Sequence, residues 1–310
     1  MPKNKKRNRK YWFLLGLLGV LIAAPNATVI RFSVAHEDPF LFNLLRFGAG
    51  ALVCLPFLLV GLHRFTRKNI KDATLAGLFI AIAVTSNVFA IKMSAASYVS
   101  IITLITPIIM VILSAKIVGE KITPRAIAGI SLAAVGATTI ILLPIAIHQG
   151  ASFVFYPEAT LFALINTISF PLAMIYSRRA NEKGVPFMPL MGYTAGFVVA
   201  VNAACFVLFS ETKELTIAPF NPWLLLYSGV AVALLVRMLN VICYEKIGAA
   251  TVSGLSYLEI FLAILLPVLI LGEILSLPMI VGGALILLGV YVIEHHKSKH
   301  HKHFHTHYNR

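Results

Sequence analysis

Apolar residues in this chain do not recur at a helical or a strand period. They run on for about twenty positions, stop at a short polar cluster and resume, which is the pattern of membrane-spanning helices. Cutting at charge clusters and turn residues predicts ten such helices. They cover 12–31, 39–62, 73–92, 95–117, 124–147, 156–178, 187–209, 222–243, 250–271 and 277–294. The longest connections, 148–155 and 210–221, hold the Gly, Ser, Thr and Pro that turns require. No soluble domain interrupts the series, so the expected fold class is an all-α integral membrane protein.

Composition agrees with the pattern. Of the 310 residues 59% are hydrophobic and 12% charged, against about 25% charged in soluble domains. Mean hydropathy is +0.87. The first 25 residues have the basic start and apolar stretch of a signal peptide, but so many spans follow that a retained first helix is the simpler expectation.

The net charge of +14 raises nucleic-acid binding as a function, and its distribution argues against it. With the N-terminus in the cytoplasm, 21 of the 26 Lys and Arg fall in inside segments. Three (Arg31, Lys92, Lys213) fall outside, and two (Arg46, Arg237) lie within spans. That is the asymmetry of a membrane topology signal, with basic tails drawn to anionic lipid. It predicts ten spans with both ends cytoplasmic, and the compact tails favour a bacterial inner (plasma) membrane. Cys54, Cys205 and Cys243 are scattered through apolar runs, with neither a disulfide framework nor metal-ligand spacing. They read as small apolar fillers.

The chain repeats itself. A shift of 153 positions, without a gap, aligns Asn87 with Asn240, Val88 with Val241, Ala96 with Ala249, and Val99 and Ser100 with Val252 and Ser253. It also aligns Gly119 and Glu120 with Gly272 and Glu273, Gly129 with Gly282, and Gly136 with Gly289. The expected organisation is a basic tail over 1–11, a five-helix repeat over 12–147, a second over 156–294, and a His/Lys-rich tail over 295–310. Five is odd, so the second copy enters the membrane inverted. Inversion explains why the IVGEKIT turn at 117–123 keeps a lysine while its mate ILGEILS at 270–276 has none. Inverted repeats are a building plan of secondary transporters, with the site where the halves meet.

Ten spans, two inverted five-helix halves and a Gly-Glu turn between the last two helices of each half resemble the drug/metabolite transporter superfamily, in its EamA-type branch. The resemblance covers about Leu14 to Glu294. It implies alternating access by rocking of the halves, with no ATP-binding domain and no cofactor. No GxxxxGK[ST] phosphate loop is present. Gly119, Glu120, Gly272 and Glu273 correspond to the family's turn. Their expected role is structural: the glycine permits a tight turn and the glutamate accepts hydrogen bonds from the N-terminus of the next helix.

Ionisable groups at membrane depth are functional candidates by default. Arg237, Asn240 and Tyr244 share a face of span eight by i, i+3, i+7 spacing; Ser256 and Glu259 share one on span nine. A short loop joins these spans, so Arg237 and Glu259 are expected either to pair as a helix clamp or to be split by a zwitterionic ligand. The repeat maps them onto Val84 and Thr106. Both charges are thus missing from the first half, which suits asymmetric contacts to an asymmetric substrate. Arg46, on one face with Asn43, is read either as a substrate or gating contact or as a side chain that snorkels outward or binds backbone carbonyls.

Uncharged polar residues at depth (Asn26, Asn87, Thr103, Thr106, Asn166, Ser169, Asn202) either glue helices or line a cavity. Asn166 precedes Pro171 and Asn26 follows Pro25, and proline frees carbonyls that such a cavity uses. Tyr257, near Glu259, is a candidate aromatic wall. The substrate-binding set is therefore Arg46, Asn87, Thr106, Asn166, Arg237, Asn240, Tyr257 and Glu259.

The C-terminal HHKSKHHKHFHTHYNR carries seven of the ten histidines at irregular spacing. It reads as a basic tail near the inner leaflet, with metal binding as the rival. No metal or nucleophile–base constellation appears in the spans, so no catalysis is expected.

The resulting reading is a secondary transporter of a small polar metabolite, an amino acid or related compound, as monomer or homodimer in lipid. Arg237 would hold an acidic group and Glu259 a cation or a coupling proton. Its rivals are a transporter of phosphorylated sugars or nucleotide-sugars, and a membrane scaffold or lipid-handling protein.

Overall fold

The computed structural model describes residues 3–35, 37–118, 124–146, 156–210, 220–247 and 249–300. Every regular element among them is helical. The first apolar run forms two helices, α1 (Lys3–Ala23) and α2 (Asn26–Val34). Pro25 parts them, because it has no N–H to donate and its ring clashes with the preceding turn. α3 (Pro39–Gly61) starts at Asp38, whose carboxylate accepts from the Leu41 N–H at 2.9 Å. Pro39 occupies the first turn, where its missing donor costs nothing. α4 (Ile70–Met93) follows. The fourth run is again split, into α5 (Ala96–Thr103) and α6 (Thr106–Val118).

α7 (Pro124–Ala146), α8 (Pro157–Glu182) and α9 (Phe187–Phe209) each follow one apolar run. The eighth run has three parts: α10 (Pro222–Leu226), capped by Asn221, then π1 (Tyr227–Val236), a π-helix, and α11 (Arg237–Ile247). α12 (Ala249–Leu271) and α13 (Leu277–His300) complete the chain. α8 continues through Pro171 and α12 through Pro267.

Seven helical stretches among the described residues are long and apolar enough to cross a membrane. They are Lys10–Val34, Pro39–Arg64, Ile70–Met93, Ala96–Ile117, Pro157–Glu182, Phe187–Phe209 and Pro222–Asn240. The other three expected spans hold shorter apolar helices, Ile127–Gly136, Phe261–Leu271 and Leu277–Gly289. Large apolar side chains crowd the outer surface: Val60 is 76% exposed and Trp223 78%. In water such a surface would aggregate; facing lipid tails it is at no disadvantage.

The most extensive packing joins helices far apart in sequence: α4 on α8, α7 on α13, α3 on α9. Glycines set the closest crossings. A Cβ at Gly136 would sit 2.5 Å from the Gly282 carbonyl oxygen, and one at Gly289 2.5 Å from that of Gly129. α7 and α13 therefore touch backbone to backbone. Gly229 of π1 makes the same kind of approach to α3, where a Cβ would overlap the Arg46 carbonyl.

The largest buried cluster lies at one end of the bundle. It joins the end of α2 (Ile30, Val34), the start of α3 (Leu41, Phe42), the end of α4 (Val88, Ile91) and α5. There Glu273 crosses from the α12–α13 turn to the N-terminus of α5, accepting from the N–H groups of Ala96 and Ser97, each at 2.8 Å. Gly272 makes this reach possible by taking φ +68°, a left-handed conformation that suits glycine. At the opposite end Asp72 accepts Lys183 Nζ at 2.5 Å and lies 3.6 Å from Arg179 Nε. Asn69 adds hydrogen bonds to the carbonyls of Arg64 and Lys183.

Candidate functional site

Of the polar bridges that tie residues before 147 to residues after 156, three involve the candidate polar residues within the helices. In the first, Asn166 on α8 donates to Asn87 on α4 at 3.5 Å. In the second, Asn202 on α9 accepts from Asn43 on α3 at 3.3 Å and from Thr85 on α4 at 3.1 Å, while its own amide is anchored on the Val198 carbonyl. In the third, Arg46 Nη1 donates to Ser228 Oγ of π1 at 3.1 Å, and Ser228 donates to Asn26 Oδ1 at 2.8 Å.

The third bridge depends on two irregular backbones. The first span is broken at Pro25, and three residues before it the Ile22 carbonyl accepts the Tyr227 hydroxyl. π1 begins at Tyr227, and π-helical turns often mark functional sites. Glu259 is half-buried on α12, a helix packed against α1 and α2. The break in span one, the start of π1 and the helix that carries Glu259 thus lie in a single neighbourhood.

Arg46 is 4% exposed, so it does not snorkel outward, and its hydrogen-bond partner among the described residues is the Ser228 hydroxyl. Its guanidinium lies over the rings of Phe42 and Phe47, 5.1 and 4.8 Å from their centroids. Arg237 turns to Met174 on α8, with Nη2 3.3 Å from the thioether sulfur. Among the described residues no ion pair joins Arg237 to Glu259. Helical spacing suggested that the two face each other from neighbouring spans, but the described partner of Arg237 is Met174 on α8.

Thr106 and Asn240 are half-buried. The side chain of Tyr257 falls outside the described set, as do those of Tyr244 and Ser256. Gly119 and Glu120 also lie outside the described residues. Glu273 does accept from a helix N-terminus, but from that of α5, far away in sequence, rather than from the next helix.

Sequence reasoning passed over Ser228, Tyr227 and Thr85. The Tyr-Ser-Gly triplet at 227–229, two hydroxyls and a glycine inside an apolar run, was the available signal. A cavity of about 290 Å³ opens between α3 and α9, lined by Leu58, Gly192, Tyr193, Gly196, Phe197 and Ala200. It contains none of the candidate residues. Among the described residues no three His, Cys, Asp or Glu gather as metal ligands. Cys54 and Cys243 are buried free thiols and Cys205 is half-buried.

The description EamA-like transporter family matches this chain twice, over residues 10–143 and 158–294. An uncharacterized transporter of Archaeoglobus fulgidus is 25% identical over 267 residues, covering 82% of this chain and 86% of the relative. A protein of known crystal structure superposes with a TM-score of 0.57 at 23% identity, across 91% of this chain and 98% of the other, which is a likeness of fold. Apolar helices of spanning length and a family match over nearly the whole sequence lead to one conclusion: the chain is a multi-pass membrane protein of the EamA-like transporter family, within the drug/metabolite transporter superfamily.

Proposed function

We propose that this protein is a secondary active transporter of a small polar metabolite, an amino acid or related compound, working by alternating access between two inverted five-helix halves, 12–147 and 156–294. The observation that carries the reading is the set of three polar bridges between these stretches, since inverted-repeat transporters hold their substrates where the halves meet. Neutral amides and hydroxyls there exchange protein partners for solute partners at little cost.

Packing supports the two-half organisation. Exchanging each helix for the one five spans away carries the most extensive packed pairs onto packed pairs. α3–α9, α7–α13 and α5–α12 map onto themselves, α4–α9 onto α3–π1, and α6–α8 onto α1–α12. The glycine contacts obey the same exchange: Gly136 against Gly282 becomes Gly289 against Gly129. Glu259, on the helix packed against the broken first span, is the proposed contact for a coupling proton. The membrane is a bacterial inner membrane with both termini cytoplasmic.

The test is uptake from a mixed metabolite pool into proteoliposomes, read by mass spectrometry, with Asn166→Ala and Arg237→Ala in parallel. The expected result is enrichment of one solute class that falls at least about tenfold in Asn166→Ala, while the melting temperature moves little because a bond of this length is weak. Enrichment unchanged in both variants would remove these two residues from the site. No enrichment under any ion gradient, with folded protein, would favour a scaffold.

A further inference from the structure

We propose that the Nε–Nη2 edge of Arg46 seats a carboxylate group of the transported solute. The proposal rests on the transport reading and deepens it by naming a chemical class.

Arginine stays protonated in proteins, so a buried guanidinium calls for compensating charge or dipoles. Arg46 is almost fully enclosed, at 4% exposure. The rings of Phe42 and Phe47 pack against it. Nη1 is spent on Ser228, whose own proton is spent on Asn26, so this corner of the guanidinium is fixed. Nε is buried and has no hydrogen-bond partner. Among the described residues no carboxylate comes within ion-pair distance of Arg46, and Ser228 and Asn26 are neutral. What remains is the edge on which Nε and Nη2 point in parallel, the fork that two carboxylate oxygens match.

The location suits a solute as well as the chemistry does. Arg46 and Asn26 belong to the first stretch and Ser228 to the second, so the seat lies on their boundary. It sits beside the break at Pro25 and the first turn of π1, and irregular backbone at membrane depth is tolerated where it lines a cavity or is buried in protein. Arg237 offers no equivalent seat, since its described partner is a thioether.

The experiment uses the full chain in proteoliposomes with paired probes of equal shape, lactate against lactamide and alanine against alaninamide, in a larger metabolite pool. Wild type is expected to enrich solutes that carry a carboxylate. Arg46→Lys keeps the charge but loses the fork, so its enrichment should fall about tenfold or more. Arg46→Gln should fall to background. Ser228→Ala, which only frees the Nη1 corner, should fall several-fold and guards against a folding defect in the arginine variants. Enrichment of amides equal to that of acids, or acid enrichment within about twofold of wild type in both arginine variants, would overturn the proposal. Should wild type move nothing, the transport reading fails, and the seat is decided by melting of the purified protein. A rise with lactate that lactamide does not produce, absent in Arg46→Gln, supports it; equal rises overturn it.

Discussion

Glu273→Gln isolates one contact that holds distant parts of the chain together. The Glu273 carboxylate accepts two N–H groups at 2.8 Å from the first turn of α5, a helix without a side-chain cap of its own. Ala96 and Ser97 are fully buried, so water does not replace a lost partner. Glutamine keeps one carbonyl oxygen, which can satisfy one amide. It sets an NH₂ against the other and removes the charge that complements the helix N-terminus. Losing one charge-assisted bond and orphaning a buried N–H costs about 2–4 kcal/mol, and the lost charge–dipole attraction adds up to about 1 kcal/mol. Bonds between membrane helices measure less, about 0.6 kcal/mol on average, but those pairs are neutral. The assay is equilibrium unfolding in detergent, followed by circular dichroism. Glu182→Gln is the control: it removes an exposed i,i+4 pair with Arg178 and should cost under about 0.5 kcal/mol. If Glu273→Gln proved as stable as Glu182→Gln, the clasp would contribute nothing and the argument from buried capping would be wrong.

Gly289→Ala should destabilise by about 1–3 kcal/mol, because its Cβ would press on the Gly129 carbonyl and the Ala133 backbone, neither of which can rotate away. Gly48→Ala meets nothing within 4 Å and should gain a few tenths to about 1 kcal/mol from helix propensity, so opposite signs in the two melts check the crossing. Asp72→Asn should cost about 1 kcal/mol at low salt, since Lys183 and Arg179 are more than a third exposed and the solvent screens them. The loss should shrink at high salt in the same unfolding assay.

Much of the fold was legible because each helix announces itself locally. Seven stretches of spanning length fell where apolar runs and charge clusters put them. The first run, expected as one helix over 12–31, is instead broken at Pro25, while Asp38 and Asn221 cap the helices that follow them. Pro171 and Pro267 did not break theirs: packing in the bundle held the helix through them. The site was less legible. Arg46 meets Ser228 and Asn166 meets Asn87, partners that no spacing announced, while Arg237 and Glu259 were expected as neighbours and are not paired. Spacing along one helix fixes which side chains share a face; it leaves open which way that face turns. Ser228 escaped notice because its hydroxyl matters only once π1 lies against α3.

The sequence by itself determined membrane residence and the helical runs, because length and hydropathy are properties of consecutive positions. Tertiary structure decided the partners: Glu273 with α5, Arg46 with Ser228, Arg237 with Met174. These contacts span 63 to 182 positions along the chain, and they depend on how helices rotate and cross. Glycines fix the close crossings by letting backbones touch, and hydrogen bonds at helix breaks settle which polar groups meet.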